Sequence, residues 1–499
     1  MSTGVDESKR HSRNRLLVAG GAAVGLLLFE IAFKWKVIFS KAFVLDDAFM
    51  FERAIHGRAF NDLGDFLPAF QAVDFDRSPG LKLYRFLAEM SGDIFMLRII
   101  YLGFFAITCA LFALLLYRVT RNRAFSILTA VFAFITPFSP VLVLFTNGSY
   151  NIVYFGLFFA ALLTGTYIGF DDKPRKAILL VALTTTFLLL SAVFVEVGFL
   201  LSLAALAWLF FYSKAYETSI GRVLFLLSGA LVVAQAVWIL LTYTSPYEAM
   251  PGRVNYDLGS MVLNGLSIIN RSISSFWDPM INTGQLTRQS SLWVSIGFIC
   301  IMLVMYIATG LRLLRGSLDW GGLRLPLSFT FFMSVCAVLS IGPYTALRSS
   351  HLWHYFPHMI FLCTSSYLLV YFTVSKRGAY LLLAITAFLT TQTYSQQMPA
   401  YQDIVQQQKS FSNFVRLESK SWHEGDRVFL LFEGRILAGL NSSFRSTGFT
   451  RYVTDDPDAP VLSIVSASSA SRTDINDDGD QGEVHFYEMD QAGAYKPIR

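Results

Sequence analysis

Eleven stretches of this chain are apolar on every side, at about residues 16 to 33, 94 to 117, 124 to 145, 150 to 170, 177 to 192, 197 to 212, 223 to 244, 291 to 311, 326 to 342, 358 to 374 and 379 to 395. A helix needs roughly 20 apolar residues to cross the hydrocarbon core, and runs of this kind predict a polytopic α-helical membrane protein of about 11 transmembrane helices. The short alternating strands of a membrane barrel are not the pattern seen. Two connections, residues 40 to 93 and 245 to 290, are too long to be simple turns, and long ordered loops are usually functional. From residue 396 the pattern becomes that of a soluble module: a polar helix over about 401 to 420, then strand-like runs at 427 to 434, 460 to 467 and 483 to 489. The expected division is a membrane domain over residues 1–395 and a small α/β domain over residues 396–499.

Within residues 40 to 93 two amphipathic helices are expected on the bilayer surface. Asp46 or Asp47 can cap the first, with Ala48, Phe51, Ala54 and Ile55 on one face and Gly57 at its end; Ser78 and Pro79 start the second, with Leu83, Phe86 and Leu87 facing one way.

Composition supports the membrane reading, since 54% of residues are apolar, 15% are charged and the mean hydropathy is +0.49. Cys109, Cys300, Cys336 and Cys363 all fall inside apolar runs, far apart and without metal-ligand spacing, which excludes a disulfide scaffold and leaves packing roles. Charge adds the orientation. The N-terminal segment and the turns at 118–123, 171–176, 213–222, 312–324 and 375–378 together carry 17 Lys and Arg, whereas the alternate short turns carry none. The positive-inside rule then puts the N-terminus in the cytoplasm and residues 396–499 outside the cell membrane. This basicity sets topology, and no nucleic-acid partner is expected. With no retention or lipidation signal, the expected location is a bacterial inner (cytoplasmic) membrane.

The candidate chemistry lies in the outer loops. Nine of the 20 carboxylates in residues 1–395 lie between 46 and 93. Asp46 and Asp47 stand just after the first span and before a helix start. Adjacent carboxylates suit general-base work, one taking a proton while the other orients it, but the same position suits a helix cap. Arg348, His351, His354 and Tyr355 share one short outer turn and could bind a phosphate, or form an interfacial belt with a snorkelling Arg. Glu196, in a tight outer turn, and Arg98, opening the second span, are further candidates. Glu30 and Lys34 are spaced to pair along the first span.

At LDDAFMFERAIHGRAF (residues 45–60) the sequence resembles the acidic motif in the first extracytoplasmic loop of GT-C glycosyltransferases, notably arabinofuranosyltransferase-like members. The stretch from Ser78 to Pro140 is similar to that family's continuation: a surface helix with Pro near its start, an Arg opening the second span, a basic turn and a third span ending in Ser-Pro. LRSSHLWHYFPHMIF (347–361) resembles its late Arg-Tyr-Pro stretch. The Tyr-Thr-Asn and Asn-x-Gly runs of the arabinosyl subgroup are absent, so neither that subgroup nor its sugar is implied. The resemblance implies an inverting transferase that moves a sugar from a polyprenyl-phosphate donor to a hydroxyl of a glycan or glycolipid. Asp46 matches the catalytic acid, Asp47 supports it, and cationic groups stabilise the departing lipid phosphate.

In the C-terminal region, Asp474, Asn476, Asp478 and Asp480 alternate around Gly479 as in the first part of a calcium loop, but position twelve is His485. A solvated acidic turn and a bound divalent cation, calcium or magnesium, both remain open; the transfer chemistry itself requires no cofactor. Trp422, Phe444 and Tyr452 could bind a glycan acceptor if exposed, or be core residues. Two rival functions remain at this stage, a lipid-linked sugar transporter or flippase, and a catalytically silent scaffold on the same fold. The first would place ionisable groups near mid-membrane.

Overall fold

The computed structural model describes residues 3–40, 47–58, 79–136, 150–170, 174–194, 198–242, 257–276, 293–314, 320–345, 352–423, 426–432, 443–456, 458–466, 484–489 and 495–497. The helices are α1 (Thr3–Ile38), α2 (Asp47–Ile55), α3 (Pro79–Ser91), α4 (Ile94–Thr120), α5 (Arg123–Phe134), α6 (Tyr150–Gly165), α7 (Pro174–Phe194) and α8 (Gly198–Tyr212). They continue with α9 (Ser219–Thr242), α10 (Leu258–Ser274), α11 (Trp293–Leu314), α12 (Trp320–Thr345), α13 (Leu352–Leu369), α14 (Lys376–Glu418) and α15 (Ser443–Thr454). Four strands follow the membrane part: β1 (Arg427–Phe432), β2 (Val461–Ser466), β3 (Val484–Met489) and β4 (Tyr495–Pro497). The chain forms two compact units, one of Met1–Phe33, Leu102–Val141 and Asn151–Gln396, the other of Lys34–Tyr101, Leu142–Tyr150 and Gln397–Arg499.

The chain is a polytopic α-helical membrane protein, and every expected apolar run overlaps a helix among the described residues. Among the described residues six helices are long and apolar enough to cross a bilayer: Ser12–Lys36, Ile94–Thr120, Arg175–Ala192, Ser219–Trp238, Leu325–Gly342 and Phe356–Val374. Eleven were expected on pattern alone. Arg123–Phe134, Asn151–Gly165, Gly198–Tyr212 and Ile299–Arg312 are apolar but shorter. Within the run at 124 to 145, α5 ends at Phe134 for a local reason: Thr136 precedes Pro137, and a residue before proline is pushed out of helical backbone. The run at 379 to 395 lies in α14, which continues without a break to Glu418, so the last apolar run and the polar helix expected over 401 to 420 are one helix.

The first unit is held by an aromatic core. Phe112 stacks on Phe159 with centroids 4.4 Å apart, and Phe134, Phe155 and Phe356 meet around them at 5.8 to 6.2 Å. Cys109, Cys336 and Cys363 are buried here as packing residues, while Cys300 is exposed. Asn122 caps α5 by accepting from the Phe125 amide at 3.1 Å, and its own amide group bonds the Tyr371 and Tyr380 hydroxyls at 3.2 and 3.3 Å. Past α13 the helix widens into a π turn over Val370–Val374, and Arg312 donates to the Thr373 carbonyl at 2.7 Å.

The second unit contains the sheet, in the order β2-β1-β3-β4. β1 pairs in parallel with β2 and β3, and β3 pairs antiparallel with β4. Parallel neighbours need a crossover, which α15 provides between β1 and β2. The Leu462 amide donates to Thr447 Oγ1 at 3.0 Å, tying β2 to α15. Phe414, at the end of α14, stacks on Tyr495 at 4.3 Å. Trp422 Nε1 donates to the Tyr487 hydroxyl at 3.2 Å, and that hydroxyl donates to Glu418 at 3.0 Å. Burial raises the Tyr487 pKa, while the bond from Trp422 opposes the rise and the bond to Glu418 adds to it.

Candidate functional site

The acidic motif leads into α2, a nine-residue helix that begins at Asp47. Its end follows from Gly57, whose φ of +65° is open to glycine at little steric cost. Around that glycine the Arg58 amide donates to Arg53 O at 2.9 Å and the Gly57 amide to Ala54 O at 3.2 Å, the paired bonds of a Schellman stop. Between these ends the helix is enclosed, with Ala48, Phe49, Met50, Phe51, Glu52, Arg53 and Ala54 all buried. A helix resting on a bilayer would leave one face to lipid, and α2 instead packs against α3 and α15 of its own unit.

The approach of α15 is unusually close. A Cβ at Gly448 would stand 2.4 Å from Phe49 Cα and 2.7 Å from Phe49 N, so the two helices meet backbone to backbone there. One turn on, the Tyr452 ring meets Phe51 edge-on at 5.7 Å, and the Arg53 guanidinium lies 5.0 Å from the centre of the Phe49 ring. α15 then stops at Asp455, which has a φ of +55°. A left-handed non-glycine residue costs about 1 kcal/mol, and here the turn places a carboxylate beside His56.

Charge is layered through this contact. Glu52 is fully buried on α2, with His56 Nδ1 at 3.3 Å from Oε1 and Arg53 Nε at 3.7 Å from Oε2. Neither Glu52 oxygen has a hydrogen-bond partner among the described residues. Desolvation dominates and raises the Glu52 pKa above its usual 4.5, while Arg53, Arg451, His56 and Arg58 pull it back. Burial likewise lowers the Arg451 pKa, with Glu52 opposing. His56 Nε2 reaches the exposed Asp455 carboxylate at 3.5 Å, Arg58 pairs with Asp458, and Arg85 of α3 donates to the Arg58 carbonyl.

The expected site residues divide clearly. Asp47 is the first residue of α2, and His354 and Tyr355 lie in the first turn of α13. Asp46, Glu196, Arg348, His351 and the four calcium-loop residues Asp474, Asn476, Asp478 and Asp480 lie outside the described residues. Arg98 is fully buried on α4 and donates to the Ser40 carbonyl at 3.1 Å, so it does not snorkel. Glu30 and Lys34 are both buried on α1. Of its two expected alternatives Trp422 takes the second, a buried core residue whose Nε1 donates to the Tyr487 hydroxyl. Tyr452 is spent on Phe51, and the Phe444 side chain lies outside the described residues. Among the described residues no group of three or more His, Cys, Asp and Glu could hold a metal ion.

Pattern reading missed Glu52, Arg451 and Gly448. A glycine in the middle of a helix has a packing reason when it is retained, and Gly448 carried that signal.

No family model matches the chain, and no curated protein matches it. Seven chains of solved structures do. One is ArnT from Cupriavidus metallidurans, in a crystal structure bound to undecaprenyl phosphate. It is similar at 10% identity with a TM-score of 0.48, over 94% of this chain and 93% of that one.

Proposed function

We propose that this protein is an integral-membrane inverting glycosyltransferase of GT-C type, moving a sugar from a polyprenyl-phosphate donor to an acceptor hydroxyl in cell-envelope glycan or glycolipid assembly. The observation that carries the reading is the seat of α2. Asp47 of the motif is the first residue of a helix enclosed by α3 and α15, and a catalytic carboxylate next to it in the chain needs that kind of fixed support. A transporter has no need to clamp an acidic helix start between an outer-loop helix and a helix of the C-terminal domain.

In this reading Asp46 removes the proton of the acceptor hydroxyl as its oxygen attacks the anomeric carbon. The bond from that carbon to the phosphate oxygen breaks on the opposite face, configuration inverts, and polyprenyl phosphate departs. Asp47 supports the base. Arg348, His351, His354 and Tyr355 bind the donor phosphate, where a charge-assisted contact is strongest. Glu196 has no assigned step, and Arg98 serves the packing of α4. The N-terminus faces the cytoplasm, and the C-terminal domain is on the acceptor side of a bacterial inner membrane.

The test is Asp46→Asn, which keeps shape and capping ability but removes the basic form. Release of farnesyl phosphate from farnesyl-phosphate-linked mannose or arabinose, with an envelope extract as acceptor, should fall about 10²-fold or more, with farnesyl phosphate binding retained. Wild-type release by the Asn variant would overturn the reading.

A further inference from the structure

The contact between α2 and α15 has a consequence for the reaction. We infer that the C-terminal domain positions the catalytic acidic motif, with Gly448 as the positioning residue, rather than acting only as a separate acceptor-binding module. The inference rests on the transferase reading above and adds a residue that reading does not use.

Three observations support it. At Gly448 no side chain fits: a Cβ would lie 2.4 Å from Phe49 Cα, and real Cβ contacts stay above 3.0 Å, so α2 and α15 would have to part by at least roughly 0.6 Å. Phe49 is two residues beyond Asp47, on the same helix, so displacement there moves the helix start at Asp47, the residue that follows Asp46 in the chain. The remaining contacts fix the rest of α2: Tyr452 on Phe51, Asp455 at His56, and Asp458 at Arg58. They run along α2 and through the stop that follows it, and come from one short segment, residues 448 to 458. Placement on this scale matters because a shift of about 1 Å in a reacting group can cost about 10²-fold in rate.

The experiment compares full-length Gly448→Ala with Gly229→Ala, since a Cβ at Gly229 of α9 meets nothing within 4 Å. Gly448→Ala should lower kcat for farnesyl phosphate release about 10 to 100-fold, leave the donor KM within about twofold, and move the acidic limb of the pH–rate profile. Gly229→Ala should match wild type. A merely structural glycine would lower Tm and the yield of folded protein without moving the pH limb of the folded fraction, and that result overturns the proposal. So does wild-type kcat in Gly448→Ala. Should that variant not fold, Tyr452→Leu removes the ring on Phe51 without forcing the backbones apart, and the same fall in kcat at constant KM is expected; unchanged kcat overturns the proposal. Asp46→Asn is measured alongside. Full turnover there removes the transferase reading and this proposal with it, whereas a dead Asp46→Asn beside a fully active Gly448→Ala removes only the positioning role.

Discussion

Glu52 is the residue where burial and charge oppose each other most directly. Its folded-state pKa is raised by desolvation, so the folded protein holds the proton more tightly than the unfolded chain does. The stability this contributes is complete below the unfolded value of 4.5 and is lost as pH rises through the raised folded value. Glu52→Gln mimics the protonated form at every pH. Its Tm should exceed that of wild type at about pH 8 and converge with it at about pH 4, as read by thermal scans followed through tryptophan fluorescence. A Gln variant less stable than wild type at about pH 8 would mean that Arg53, Arg451 and His56 outweigh the desolvation. At this scale the sequence was informative where the signal was local. The acid at the helix start and the glycine at its end are read within ten residues, and α2 runs from Asp47 to a stop at Gly57. The burial of Glu52 was not readable, because its cover comes from α15 nearly 400 positions away.

Among elements, the helix caps and the central strand invite the sharpest tests. Asn122 both caps α5 and bonds two tyrosine hydroxyls, so Asn122→Ala should cost about 1 to 2 kcal/mol in chemical denaturation, against about half that for an isolated cap. Leu430 sits in β1 with neighbours on both sides and is 1% exposed. Leu430→Ala should destabilise by about 2 to 5 kcal/mol, because the sheet can close only part of the cavity. A loss under about 1 kcal/mol would show that the strand adjusts freely. Periodicity found all three main strands to within a residue or two, because alternation and flanking turn residues are properties of the segment itself. It missed α15, whose Ser-, Thr- and Arg-rich sequence has no apolar stripe and whose helical state depends on Phe49 and β2 for its packing. The join of the last apolar run to the polar helix was missed for a related reason: a change in composition does not require a break in the backbone.

For the whole molecule, the charge distribution makes the topology testable. Single cysteines introduced at Arg121 and Lys376 of a chain otherwise free of cysteine should label only from the cytoplasmic side, and one at Asp455 only from the outer side. Labelling of Asp455→Cys from the cytoplasm would invert the orientation and remove the outer site. The number of crossings was less legible than their positions, because α5, α6 and α8 are apolar yet short, and apolarity alone does not measure span length. One contact also bears on biosynthesis. Arg58 pairs with Asp458, 400 residues later in the chain. At about 5 to 20 residues per second, a ribosome takes about 20 to 80 s to cover that distance. Until then α2 has emerged without its cover, Phe49 and Phe51 are open to misassociation, and the acidic motif lacks its support. A nascent or prematurely terminated chain would therefore lack the seat of α2, which forms only after the last hundred residues have been made and folded.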